Sequence, residues 1–314
     1  MAPRVAKAFA PGTITNFFSV HQEKSRTDFA RSGATGGGYI LSKGVVSKVA
    51  VIKKSDRPVF ETVVNGDPHY NARTTRQALR LLMKSIGRSA KLRIEQRVDV
   101  PIGFGFGASA ASALSAVLAA SAAMDVDLNK VEIARFAHEA EIIQRTGLGT
   151  VSAVYDGLGA GFVYEPGAPG IAKFRNVRVS SPVNIVTASL APMNLGRILS
   201  SQRKVAVVNR FGDEALHHVL AEPTLDRMAR EGEVFTRKIG IANDEVASLI
   251  RIAKRAGAVY ASQNMVGDAM HAIVLVGRAD VVAEALDRSS PNARVDVLEL
   301  GRVKAGVTSI AELA

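Results

Sequence analysis

The sequence predicts an α+β protein with two domains, and three observations carry that reading. At 314 residues the chain is long enough for two cores, since about 150 residues make a typical domain. Hydrophobic residues are 47% of it and charged residues 22%, a balance that excludes global disorder, collagen and a coiled-coil rod. Strand and helix patterns follow one another in mixed order with antiparallel-style spacing and no internal repeat, unlike the regular βαβ alternation of a parallel sheet.

In chain order, residues 5–10 read as a short strand closed by Pro11-Gly12, and residues 21–38, polar and rich in glycine, as a long loop. Residues 45–52 and 59–64 read as strands. Residues 71–86 have helical spacing, with Ala78, Leu82 and Ile86 on one face. Residues 91–100 alternate strictly, Leu92, Ile94 and Val98 against Lys91, Arg93, Glu95 and Arg97, which is the pattern of a half-buried strand. Residues 108–123 form a helix of small side chains that must pack closely on its neighbours. Asn129 and Glu132 have the spacing of a capping box and open a helix to about residue 145. After the loop 146–150 and a strand at 160–165, the run PGAPG (166–170) divides the chain into domains 1–170 and 171–314. Beyond it, strands are expected at 183–190, 204–208, 271–276 and 294–300. Helices are expected at 213–220, 225–239, 244–256 and 281–288.

The formal net charge of +11 sits entirely in the first hundred residues, where 18 basic residues face 7 acidic ones; the rest of the chain holds 22 of each. A one-sided basic field is either a solvated surface or an attractor of polyanions, nucleotides or small phosphorylated or carboxylated metabolites. Aromatics are few and there is no Trp, so base-stacking platforms are not advertised and nucleic acid is not an expected partner. The absence of cysteine excludes disulfides and thiolate metal sites. The six histidines show no H-x-x-x-H spacing, so no zinc site is expected. The first twenty residues lack the apolar core of a signal peptide. The most apolar stretch, 108–123, is shorter than the ~20 residues of a membrane span. A cytoplasmic protein with no membrane partner is therefore expected, and self-association into a homodimer is left open.

The strongest chemical signal is strand, then Gly103-Phe104-Gly105-Phe106-Gly107-Ala108-Ser109, then helix. Glycines let backbone N–H groups converge, and the helix N-terminus adds a positive dipole, which together hold phosphate. There is no G-x-x-x-x-G-K-[ST] run, so this is not a Walker loop. Gly103-x-Gly105-x-x-Ala108, with Asp125 and Asp127 downstream, fits a loose Rossmann pattern. A Rossmann strand is apolar on both faces, however, whereas 91–100 alternates.

The run from Pro101 through Gly105, Phe106, Gly107, Ala108, Ser109 and Ala110 to Ala111 resembles the phosphate-binding motif P-x-x-x-G-[LF]-G-x-S-[AS]-A of the GHMP kinase superfamily. Residues 8–18 (AFAPGTITNFF), 32–45 (SGATGGGYILSKGV) and 137–153 (AHEAEIIQRTGLGTVSA) are similar to further blocks of that superfamily, in the form found in archaeal pantoate kinases. Ser262, Met265 and Gly267, followed by an apolar strand, are similar to its modified third motif.

The resemblance implies a two-domain fold, a ribosomal-S5-like N-terminal domain with a ferredoxin-like C-terminal one. It also implies an ATP- and Mg2+-dependent kinase acting on a small anionic acceptor: pantoate, converted to 4-phosphopantoate for coenzyme A synthesis. The alternatives are a mevalonate-route kinase acting on mevalonate 3-phosphate and, in a different class, a basic nucleic-acid-binding protein. The cradle would be Pro101, Gly103, Gly105, Phe106, Gly107, Ala108, Ser109, Ala110 and Ala111, with the Ser109 hydroxyl on the metal. The superfamily's second metal contact is a glutamate about eleven residues before the loop aspartate, which gives Glu139. Phe136 and Ile143 flank Glu139 at i−3 and i+4 and predict that it faces inward, with Glu141 facing solvent. Thr150 stands where the family has an aspartate, so this chain lacks a proton acceptor there. Asp156 is the nearest downstream acid and is not equivalent. Substrate contacts are expected from His21, Arg31, Ser32, Gly33, Gly147 and Gly149, with Lys24 and Arg26 in the same loop.

Overall fold

The computed structural model describes residues 4–21, 29–192 and 201–312; Lys24 and Arg26 lie outside these. In chain order the strands are β1 (Arg4–His21), β2 (Gly33–Lys54), β3 (Val59–Val64), β4 (Ala90–Val98), β5 (Ala160–Glu165), β6 (Lys173–Asn176), β7 (Val183–Ala191), β8 (Tyr260–Gln263), β9 (Asp268–Leu275), β10 (Arg294–Glu299) and β11 (Gly306–Glu312). The helices are α1 (Arg73–Ser85), α2 (Ala108–Ala123), α3 (Lys130–Gln144), α4 (Thr150–Asp156), α5 (Gln202–Ala221), α6 (Leu225–Ile239), α7 (Asp244–Arg255) and α8 (Ala279–Ser289). The fold is α+β, as the patterning predicts. None of the described helices is long and apolar enough to cross a membrane.

The larger sheet runs β11-β1-β2-β4-β3, with β5 and β6 extending from the glycine-rich half of β2; the smaller is β10-β7-β9-β8. All pairings are antiparallel except β3 with β4. One core cluster spans the large sheet with α1, α2 and α3, and a second fills the space between the small sheet and α7 and α8. Helix α2 is buried nearly all round; apart from Leu114, Val117 and Leu118 its side chains are alanine and serine, small enough for β1 and β2 and for α1 and α3 all to pack against it. The expected capping box at the start of α3 is present, Asn129 and Glu132 each accepting the other's backbone N–H.

Three local expectations are corrected. The first strand does not close at Pro11-Gly12: β1 runs through them to His21, with only a register shift against β2 between Pro11 and Thr13. Residues 33–38 are strand, not loop. Their glycines are there because β1 passes too close for side chains: a Cβ on Gly36 would collide with the Phe17 carbonyl, and one on Gly38 with that of Ile14. Residues 204–208 are helix, not strand; their valines read as β, but the Ser201 hydroxyl accepts the Lys204 N–H at 3.3 Å and starts α5. The boundary at 170 also leaves β6 and β11 of the larger sheet on its far side.

Candidate active site

β4 ends at Val98, and the chain turns through Pro101–Gly107 into α2. Gly103, Gly105 and Gly107 have φ of 88°, 81° and 63°, conformations that side chains resist. Gly107 caps α2 with no side chain covering the helix end. The first N–H groups of α2 therefore remain for a ligand. The loop is tied to β1 where Thr13 N donates to the Phe106 carbonyl at 3.0 Å.

These residues face a cavity of about 490 Å3. Gly103, Gly105, Phe106, Gly107, Ala108 and Ser109 line it, together with Gly147, Gly149 and Thr150, with Thr13, which abuts Gly107, and with Thr15 and the β2 glycines. Arg73 and Arg145 also line the cavity, and no acidic residue among the described residues does. Such a lining suits an anionic ligand. Thr150 opens α4, and its Cγ2 lies 3.3 Å from where a Cβ on Gly107 would be.

Behind Ser109 lies the carboxylate that the sequence reading missed. Glu141 is 1% exposed, and the Ser109 hydroxyl donates to its Oε1 at 3.1 Å. Its Oε2 is buried without a hydrogen-bond partner among the described residues. Burial pushes the carboxyl up to about 7, with the Ser109 hydroxyl and the Val151 N–H pulling the other way. Gly147 leaves room for this carboxylate, since a Cβ there would lie 2.8 Å from Oε2. Glu139 is only half-buried, and its carboxyl is raised by burial and lowered by Lys84. The expected orientations are thus reversed: Glu141 faces inward and Glu139 does not reach the glycine loop. The buried stripe of α3 is Ile133, Ala134, Ala137, His138, Ala140 and Glu141, whereas Ile143 is exposed and Phe136 only partly covered.

The other expected contacts divide. Pro101, Ala110 and Ala111 are buried beneath the loop rather than lining the cavity. His21 stands behind the wall, with Nε2 2.9 Å from Thr35 Oγ1, and Thr35 itself lines the cavity. Arg31, Ser32 and Gly33 do not line it. Their segment docks on α3, where His138 Nε2 donates to the Phe29 and Ser32 carbonyls at 3.0 Å each. Thr13, Thr15, Arg73 and Arg145 are lining residues that sequence reasoning did not assign; for the threonines the signal was available in the AFAPGTITNFF block.

Removing the Ser109 hydroxyl tests this wall. Ser109→Ala is expected to lower kcat/KM by about ten- to a hundredfold, the range for a hydrogen bond to a charged group. Loss of its donor also raises the Glu141 carboxyl further, so the acid limb of the pH–rate profile should move to higher pH. An unchanged profile would separate Ser109 from Glu141.

Comparison with known proteins agrees with this geometry. The family described as GHMP kinases N terminal domain matches residues 73–157, which include the glycine loop, Glu141 and Thr150. A pantoate kinase of Thermococcus kodakarensis is 28% identical over 299 residues, 94% of this chain and 95% of the relative. A pantoate kinase of Methanospirillum hungatei is 28% identical over 272 residues, 85% and 86% of the two chains. A solved structure described as a phosphotransferase related to the CoA biosynthesis pathway superposes with a TM-score of 0.83 at 26% identity, covering 97% of this chain and 98% of its own. Residues 73–157 thus match the GHMP kinases N terminal domain, and the chain is similar, over most of its length, to archaeal pantoate kinases.

Proposed function

We propose that the chain is an ATP-dependent pantoate kinase, converting pantoate to 4-phosphopantoate for coenzyme A synthesis. The observation that carries this reading is the Ser109–Glu141 pair beside an uncapped helix N-terminus, on a cavity lined, among the described residues, by Arg73 and Arg145 and no acid. The relatives named pantoate kinase supply the acceptor.

The glycine loop and the first turn of α2 hold the triphosphate through N–H groups already oriented before ATP arrives, so little reorganisation is needed. The residues fit Mg2+: a hydroxyl and a buried carboxylate with one orphaned oxygen are hard oxygen donors. When bound, the ion neutralises charge on the transferring phosphoryl. Glu141 must be ionised to hold it, which its raised pKa permits from about pH 7 upward.

In the transfer itself the acceptor oxygen bonds to the γ-phosphorus as the bond to the ADP oxygen breaks. The hydroxyl proton leaves with the new phosphoryl group or to water. Thr150 donates or accepts one hydrogen bond and takes no proton at neutral pH; a loose transition state places little demand on a base at this step. Arg73 and Arg145 offset the negative charge of nucleotide and acceptor.

Arg73 and Arg145, with no acid beside them among the described lining residues, also favour a second reading, a phosphorylated acceptor such as mevalonate 3-phosphate. Thr150→Asp separates the two. With pantoate, the added carboxylate is expected to raise kcat by about tenfold, less than the roughly hundredfold or more a positioned base typically contributes, because a loose transition state asks little of one. With mevalonate 3-phosphate it should raise KM through repulsion, most at low salt. A parent enzyme with higher kcat/KM for the phosphorylated acceptor than for pantoate would replace the first reading by the second.

A further inference from the structure

Beneath the glycine loop runs a buried chain of polar side chains that phosphoryl transfer does not explain. Asn264, in the turn between β8 and β9, and Asn16 on β1 are both 0% exposed, and His271 on β9 is 1% exposed. His271 Nδ1 lies 2.8 Å from Asn264 Oδ1, and Asn264 Nδ2 donates to the Phe104 carbonyl at 2.8 Å, in the middle of the glycine loop. On the other side of the ring, Nε2 lies 3.1 Å from Asn16 Oδ1, while Asn16 Nδ2 donates to the Met228 carbonyl of α6 at 2.7 Å.

Both amide nitrogens are committed to backbone carbonyls, so both amide oxygens face the imidazole. Burial lowers the His271 pKa to about 3, which leaves a neutral ring with a single N–H. That proton serves one oxygen, and the shorter contact runs to Asn264. With Nδ1–H donating, Asn264 Oδ1 is held, and its amide nitrogen is locked toward Phe104.

The Phe104 carbonyl and the Gly105 N–H belong to one planar trans peptide and point in opposite directions. Gly105 lines the cavity and Asn264 does not. Fixing the carbonyl on Asn264 therefore turns the Gly105 N–H toward the cavity. The loop has little freedom to rearrange around this bond. A Cβ on Gly105 would stand 2.7 Å from the Val266 carbonyl, and one on Gly267 would stand 2.7 Å from Phe104 Cα. The turn carrying Asn264 is itself anchored, since the Ser262 hydroxyl lies 2.6 Å from Thr236 Oγ1 on α6.

We propose that His271 and Asn264 are positioning residues: acting through the Phe104–Gly105 peptide, they aim a backbone N–H of the phosphate cradle at the nucleotide. The clamp rests on the reading of the cavity as the ATP site.

The test uses two amides that each copy half of the imidazole. Asn at 271 places a donor where Nδ1 is, and Gln places one where Nε2 is. Dissociation constants for ATP are measured by calorimetry without acceptor, beside thermal midpoints for each protein. His271→Gln is expected to weaken ATP by about tenfold, the effect of one lost hydrogen bond at a charged ligand. His271→Asn should keep the affinity within about threefold of the parent, even though it leaves the larger cavity and loses more stability than His271→Gln. Should His271→Gln not fold, Asn264→Leu, which removes the donor to Phe104 directly, is expected to show the same loss. Equal affinities of the Asn and Gln variants, or parental affinity in Asn264→Leu, would overturn the clamp. So would 15N spectra placing the ring proton on Nε2. A parent protein that does not bind ATP would instead overturn the nucleotide reading itself.

Discussion

Glu141→Gln is expected to lower kcat/KM by at least about a hundredfold, the upper end of what weakening a metal's surroundings costs, while stabilising the metal-free protein at pH 8. Both effects come from one buried carboxyl. Its pKa of about 7 in the folded chain lies above the ordinary 4.5, so between those values the folded state holds a proton that the unfolded chain has released. Stability then falls as pH rises through that window and is lowest above pH 7. Glutamine removes the charge and with it this slope. Thermal midpoints at pH 5 and pH 8 check the sign: the parent should melt lower at pH 8, and the variant should show no such difference from this site. Apparent Mg2+ affinity of the parent should rise with pH up to about 7, because binding displaces the proton. Glu139→Gln, on the outer side of the same helix, is expected to stay within about twofold of parental activity, as surface changes generally do. Equal losses at the two positions would return the metal role to Glu139.

Gly107→Ala should be nearly as damaging, for a geometric reason. At φ 63° a side chain costs about 1–2 kcal/mol in backbone strain. The new Cβ would also stand 2.5 Å from Thr13 Cγ2 and 3.3 Å from Thr150 Cγ2. Because Gly107 caps α2, relief of that clash displaces the first N–H groups of the helix. A misplacement near 1 Å in a reacting arrangement costs about a hundredfold, and that loss in kcat/KM is the expected result. Gly66→Ala is the control. Gly66 has φ 84° but nothing within 4 Å of its Cβ position, so it should lose stability by a similar backbone term and keep its kinase rate. Comparable kinetic losses in the two variants would show that strain alone, not the cradle, is responsible.

Local chemistry was legible in the residues wherever it was self-contained. The small-residue run Ala108–Ala123, the Asn129–Glu132 box and the alternation within β4 each determine their own element, and the structure carries all three. The glycine loop was legible too, because its turn and helix start lie within one short run. Glu141 was not. A helix face is usually read from large apolar side chains, and in α3 Val131, Ile133, Phe136, Ile142 and Ile143 are spread around the helix rather than gathered on one side. But α3 packs on α2, most of whose side chains are alanine and serine, so the buried face of α3 is mostly small, with Ala134, Ala137 and Ala140 beside Ile133, His138 and Glu141. A stripe of small residues leaves almost no hydrophobic signal, and the carboxylate lying on it is visible only once Ser109 is placed opposite. The β2 glycines were misread for a related reason: their role is to admit a neighbouring strand, and that strand is distant information.

The last strand has a consequence for how the protein is made. β11 pairs with β1, Arg4 opposite Glu312 and Phe9 opposite Gly306, so this edge of the sheet that carries the glycine loop is covered only by residues 306–312. A ribosome adding roughly 5–20 residues per second has the first 170 residues out well before residue 306 follows, and for that interval one edge of β1 has no partner. Open edges recruit other strands. Nascent chains and products truncated before residue 306 should therefore engage chaperones or aggregate, even though every residue of the phosphate cradle is already present.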